Sequence, residues 1–179
     1  PRLTALGITT VTDATTDQSP DALTALAAAA GTHVLPQRVH ALGAPLSGTP
    51  PAPLTAGPYK IVLADSGLPD LDALCASIRA AHAAGRPVAV HCVTREALVL
   101  LFAALDTTGT LPGDRIEHAA LVPAELVDGL AQRGLRVVTQ PGFLAHRGDD
   151  YLRDLPTIDH PDLYRCASLR TAGVPLAFS

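Results

Sequence analysis

Two short apolar runs each finish on a histidine: Pro87-Val88-Ala89-Val90-His91 and Arg115-Ile116-Glu117-His118. Both follow a glycine and both lead into a helix-like stretch. In a parallel α/β barrel the C-terminal ends of the strands form the active-site face. Imidazoles on neighbouring strand ends can converge on one point, as a zinc-type ion requires. The competing reading of each residue is a strand-end histidine hydrogen-bonded within a polar loop. Their occurrence as an ordered pair favours the ligand role.

Strand alternation assigns the neighbours. Cys92 follows His91 and so points to the opposite side of its strand, as a packing residue. Glu117 precedes His118 and is expected to face away from the barrel interior by the same rule. His82 falls on a helix, at the surface or the core edge. His33, His40, His146 and His160 carry no placement signal, although His146 follows a strand and could line a pocket. Asp13 ends a strand, where capping or holding a loop is a commoner role than catalysis.

The elements that would position these residues repeat along the chain. A helix-like segment ends in glycine, the residue that closes a helix in the left-handed conformation, and a β-branched strand follows. Gly7 precedes Ile8 to Val11, Gly31 precedes His33 to Leu35, and Gly85 precedes Val88 to His91. Gly134 precedes Leu135 to Thr139, and Gly173 precedes Val174 to Phe178. Gly57 before Tyr59 to Leu63, and Gly113 before Arg115 to His118, complete about seven strands. Between them, Leu71, Leu74, Cys75, Ile78 and His82 share one helical face, as do Leu98, Leu101, Phe102 and Leu105. Pro123 opens another helix with Glu125 in its first turn, and Leu126, Val127 and Leu130 face inward. Alternating strands and helices with apolar strands predict an α/β fold with a buried parallel sheet. The Pro-, Gly-, Ser- and Thr-rich stretch from Gly43 to Pro58 reads as a loop on the active-site face or a partly disordered excursion. Seven strands are one short of an eight-stranded barrel, and Ser179 falls inside the last, so a truncated barrel is expected.

Composition excludes several classes. With 179 residues, 47% hydrophobic and 17% charged, the chain has the make-up of one ordinary globular domain. A net charge of −4 gives no reason to expect nucleic acid or an anionic membrane. Three scattered cysteines, Cys75, Cys92 and Cys166, form no disulfide framework and suit reduced thiols in the cytoplasm. No apolar run approaches the roughly 20 residues of a membrane span, and no signal-peptide pattern opens the chain. Pro1 stands where an initiating methionine would, which suggests a chain that does not begin at a natural start.

The order Gly7-Ile8-Thr9-Thr10-Val11-Thr12-Asp13, Lys60-Ile61-Val62-Leu63, Val90-His91, Ile116-Glu117-His118 and Gly173 to Ser179 resembles the amidohydrolase superfamily. Within it, the chain is most similar to amidohydrolase family 3, the branch of the N-substituted formamide deformylases. Gln140-Pro141-Gly142-Phe143, with Gly148-Asp149 soon after, is similar to the same branch. The resemblance covers essentially the whole chain and implies a metal-dependent hydrolase on a (β/α)8 TIM barrel. The family's ligands are a His-x-His on strand one, an often carbamylated lysine on strand four, histidines on strands five and six, and an aspartate on strand eight. By resemblance Lys60 is the strand-four lysine, His91 the strand-five ligand and His118 the strand-six ligand; these three are the expected catalytic and metal-binding residues. The chain contains no His-x-His and stops at Ser179, where the family continues into Ser-Asp. It is therefore expected to be a single partial barrel domain over residues 1–179, lacking strand one and the end of strand eight.

The implied reaction is hydrolysis of an amide-type C–N bond in a small-molecule substrate. The expected cofactor is a divalent metal, zinc foremost, as one or two ions in the full-length protein. Carbamylation would turn Lys60 from a cation into an anionic bridging ligand, and the fragment alone is expected to be inactive. Two other readings compete. One is a class I aldolase-like barrel in which Lys60 forms a Schiff base. The other is a non-catalytic fragment that self-associates, as a homodimer through the edge that a missing strand one exposes.

Overall fold

A computed structural model describes residues 2–64 and 66–179 of the chain. The helix starts follow from short polar side chains placed to catch the first free amides. Ser19 accepts from Ala22 N at the start of α2 (Pro20–Ala29), Asp70 from Ala73 N at α3 (Leu71–Ala83), and Thr94 from Ala97 N at α4 (Arg95–Thr108). A single turn, α1 (Arg2–Ala5), precedes these. Later in the chain come α5 (Val127–Gln132), α6 (Gly142–Asp154) and α7 (Cys166–Thr171). Gly85 after α3 and Gly173 after α7 sit at φ +70° and +82°, the left-handed closing conformation expected of them.

The strands are β1 (Thr10–Asp13), β2 (Arg38–Ala41), β3 (Thr55–Ala56), β4 (Tyr59–Val62), β5 (Val88–Cys92), β6 (Arg115–His118), β7 (Arg136–Thr139) and β8 (Leu176–Phe178). All pairings between them are parallel, in the orders β1-β2-β3 and β4-β5-β6-β7-β8. Gly57 N donates to Ala41 O at 3.1 Å and Lys60 N to Leu42 O at 3.2 Å, so β4 prolongs β3 along the same neighbour. Pro58, which has no N–H to donate, marks the interruption. Seven strand paths thus run in sequence order. Among the described residues β1 and β8 are not paired with each other, and the sheet is open rather than a closed barrel.

One sheet face packs on helices. Val88, Val90, Cys92, Ile116 and Val137 share a core with Leu74, Ile78, Leu98, Leu101 and Leu130. Val39 and Ala41 pack in a second core with Leu23 and Ala27 of α2. Leu71, expected on the buried face of α3, is 39% exposed because it is the first helical residue.

Two expectations need correction. The second strand is Arg38–Ala41 rather than His33 to Leu35. Pro36 cannot donate to a ladder, so regular pairing begins beyond it. The Gly43–Pro58 stretch is no excursion: it contributes β3, and Ala44 and Leu54 are buried in the second core. Among the described residues, no helix is long and apolar enough to cross a membrane.

Candidate metal centre

Because every strand runs the same way, the C-terminal ends share one edge of the sheet. His91 is the fourth residue of β5 and His118 the last of β6. Gln140 is the first residue after β7 and Ser179 the first after β8. A cleft lined by Pro58, Pro87, Arg115, Arg136 and Pro175 opens at the other, N-terminal edge, away from the histidines.

Register determines which side chains share a face. His91 pairs with Glu117 and with Val62, and Lys60 pairs with Ala89, itself opposite Arg115. Paired residues project to the same side of a sheet. Val88, Val90 and Cys92 take the helix side, so Lys60, His91, Arg115 and Glu117 occupy the opposite one. Cys92 is thus the packing residue expected. Glu117 is not turned away from the site: it lies on the face of His91, only 6% exposed, and accepts from Arg115 Nε at 2.7 Å.

Pleating alone would send His118 to the helix side, since its partner is Cys92. Its backbone instead takes φ +78°, and Ala119 follows at +46°. Two consecutive non-glycine residues in this region are costly, of order 1–3 kcal/mol each, and such strain clusters at functional sites. Its effect here is to bring the His118 ring against that of His91, with centroids 4.6 Å apart and an interplanar angle of 73°. His118 Nδ1 lies 2.7 Å from Gln140 Oε1, and Gln140 Nε2 donates to Ser179 Oγ at 2.6 Å. Ser179 is in turn held to β7 by its own amide, which donates to Thr139 O at 3.1 Å.

Lys60 sits deeper. It lies two residues before Val62, the partner of His91, or roughly 6.6 Å of strand rise below it. It is buried, at 8% exposure. Burial pushes its amine below the ordinary lysine value; Glu117 opposes that shift and Arg115 adds to it. The structure thus brings the two histidines into contact and sets Lys60 on the same face one layer down, beside Arg115 and Glu117.

The remaining candidates have other work. His82 Nε2 lies 3.1 Å from the buried carboxylate of Asp114. His40 is hydrogen-bonded to Thr55, and His160 Nε2 to Leu155 O at 3.1 Å. His33 and His146 are exposed. Asp13 accepts from Thr15 N at 2.8 Å and Gln18 Nε2 at 3.2 Å, the loop-holding role expected of a strand-end aspartate. Sequence reasoning gave no role to Gln140 or Arg115. Gln140 carried a signal, since it directly follows a β-branched run as His91 and His118 close theirs.

The donor chemistry suits a zinc-type ion. Imidazole nitrogen is its commonest neutral ligand, and metal-ligating histidines characteristically donate their second N–H to an oxygen such as Gln140 Oε1. Two imidazoles are fewer than the three protein ligands of a catalytic zinc site. Among the described residues no group of three His, Cys, Asp or Glu side chains converges, and Lys60 is the buried lysine on the face of His91.

The chain is similar in fold to two uncharacterized metal-dependent hydrolases. That of Pyrococcus furiosus matches with a TM-score of 0.80 and 21% identity, over 99% of this chain and 43% of the other. That of Pyrococcus horikoshii OT3 gives 0.79 and 23%, over 99% and 42%. The chain therefore spans less than half the length of either. It is also similar to an atrazine chlorohydrolase of Arthrobacter aurescens TC1 complexed with zinc, with a TM-score of 0.57 and 16% identity over 99% of this chain and 46% of that one. No curated protein matches it in sequence. A family model described as an amidohydrolase family matches residues 2–179, and the chain belongs to that family.

Proposed function

We propose that His91, His118 and Lys60 are ligands of a divalent metal centre, zinc foremost, in a hydrolase that cleaves an amide-type C–N bond of a small molecule. The observation that carries this reading is the contact of the His91 and His118 rings at 4.6 Å on the C-terminal edge of the sheet. Family membership supports hydrolysis, and the metal-dependent neighbours support the ion. When bound, one or two ions would polarise the substrate carbonyl and bring the pKa of water towards ~7.

The chain's own residues have separable parts in this. His91 and His118 offer imidazole nitrogens from adjacent strands. Lys60 as an ammonium would repel a cation; as the neutral amine that its burial favours, its nitrogen can bond the carbon of carbon dioxide and release one proton to solvent, leaving a carbamate whose anionic oxygens face the site. Arg115 and Glu117 hold the layer beneath.

We further propose that the sheet is most of an eight-stranded barrel of the formamide deformylase-like branch, working in the cytoplasm. The family's remaining ligands and its proton-accepting aspartate are not among these three residues. The chain by itself is accordingly expected to show no turnover of amides or formamides, and a protein supplying those donors to be active.

Calorimetric titration of the chain with Zn²⁺ or Co²⁺ tests the site. Weak binding, lost in both His91→Ala and His118→Ala, is expected. Tight binding untouched by either substitution overturns the assignment. The lowered amine of Lys60 favours one other reading, a Schiff-base aldolase, which leaves the histidine pair without a task. Borohydride trapping of a carbonyl substrate on Lys60 in metal-free protein would select it.

A further inference from the structure

We infer that Gln140 is a positioning residue for His118, holding its imidazole in the Nδ1–H tautomer so that Nε2 keeps the lone pair a metal ion requires. The inference rests on the metal-centre reading above and adds to it a residue and a tautomer.

The geometry begins at Ser179, whose amide extends the β7–β8 ladder by donating to Thr139 O at 3.1 Å. That fixes Ser179 beside the end of β7, where Gln140 Nε2 donates to its Oγ at 2.6 Å. With its NH2 group committed there, the Gln140 amide turns its oxygen to His118 Nδ1, 2.7 Å away. In this orientation the amide oxygen only accepts, which assigns the proton to Nδ1. A neutral imidazole has one N–H, and Nε2 is therefore bare. The same contact resists rotation of the ring about a backbone already placed at φ +78°. Gln140 thus supplies orientation and tautomer together, the two things an outer hydrogen bond gives a metal-bound histidine.

The opposite amide orientation, with Oε1 on Ser179 and NH2 on a bare Nδ1, would put the proton on Nε2 and forbid coordination through it. The two arrangements are distinguishable without metal. Long-range 1H–15N correlation spectra of the metal-free, 15N-labelled chain, at a pH where its imidazoles are neutral, should show His118 as the Nδ1–H form. Gln140→Glu, whose carboxylate can also accept, should keep that form, whereas Gln140→Leu should lose it. Zn²⁺ affinity measured in the same samples should fall about 10- to 100-fold in Gln140→Leu and little in Gln140→Glu.

An Nε2–H His118 in the parent chain overturns the inference. So does Gln140→Leu that leaves both tautomer and affinity unchanged. If the tautomer follows Gln140 as expected while His91→Ala and His118→Ala leave Zn²⁺ binding unaltered, the metal assignment fails and the Gln140–His118 linkage stands. Circular dichroism of each variant separates a lost tautomer from a lost fold.

Discussion

Replacing Asp114 with alanine should cost about 3–5 kcal/mol, although this residue is far from the proposed site. Asp114 is 1% exposed and precedes β6 at the N-terminal edge of the sheet. Its Oδ1 accepts from Val88 N at 2.8 Å, its Oδ2 from Leu111 N at 2.8 Å, and His82 Nε2 approaches at 3.1 Å. The carboxylate therefore ties together the start of β5, the turn before β6 and the last turn of α3. Hydrogen bonds to a charged group contribute roughly 1.5–3 kcal/mol each, so the two backbone bonds alone give about 3–6 kcal/mol. Leu111 is only partly buried and water can replace some of its share, which brings the figure to about 3–5 kcal/mol. Asp114→Asn should lose about 2–3 kcal/mol, because one acceptor survives while the new NH2 group faces an N–H donor. Urea unfolding followed by circular dichroism measures both, and at about 3 °C per kcal/mol Asp114→Ala should melt roughly 10 °C lower. Asp106→Ala, which removes an exposed partner of Arg133, is the control and should stay within about 1 kcal/mol. If Asp114→Ala costs no more than this control, the carboxylate is not the tie described.

Arg86 donates to Gly57 O, Ala44 O, Pro45 O and Leu42 O at 2.6–3.1 Å and lies over the Tyr59 ring, joining the β2–β3 region to β5. Lysine cannot reproduce that fork, so Arg86→Lys should lose about 2–3 kcal/mol by urea unfolding, and an unchanged midpoint would refute the joint. Burial lowers the Lys60 pKa in the folded chain, so the folded state binds fewer protons and its stability should rise as pH climbs from that lowered value towards 10.5. Lys60→Met should flatten this rise, and parallel pH profiles of the urea midpoint for both proteins would contradict it. The open edges of β1 and β8 should give a concentration-dependent homodimer in size-exclusion chromatography with light scattering; a monomer at every concentration would count against the edge as an interface.

Much of this architecture was legible because short-range chemistry determines it. The closing glycines, the capping Ser19, Asp70 and Thr94, and the apolar faces of α3 and α4 each act within a few residues. Strand positions were recovered wherever a glycine led straight into a β-branched run, as at β5, β6 and β7. The reading failed at β2, where the Thr32 hydroxyl donates to Ala29 O at 2.6 Å and accepts from Val34 N at 3.2 Å, and Pro36 then delays the ladder. It failed again between Gly43 and Pro58. That stretch is ordered by partners distant in sequence, chiefly Arg86, which a composition rich in proline and glycine does not reveal.

The site itself shows why spacing along one strand cannot settle orientation across two. Assigning both histidines inward assumes that His91 and His118 share a parity, but the register pairs His91 with Glu117. Under that register a regular β6 would turn Glu117 towards the site and His118 into the helix layer. Both side chains instead serve the same face, because the chain leaves the ladder at His118 with φ +78°. A one-residue slip in register reverses every side chain of a strand, and only contacts made by the neighbouring strands specify it. Glu117 consequently sits at the level of His91, and its carboxylate reaches one level down to accept from Arg115 Nε at 2.7 Å, beside Lys60, where the aliphatic residues of an ordinary barrel interior would sit. The resulting face has the two imidazoles at its C-terminal edge and, beneath them, buried Lys60 with half-buried Arg115 and the Glu117 carboxylate that bonds it. In the proposed metal reading, an ion held by the two imidazoles would meet the charge of the groups beneath, so the protonation or carbamylation of Lys60 would govern what the site can hold.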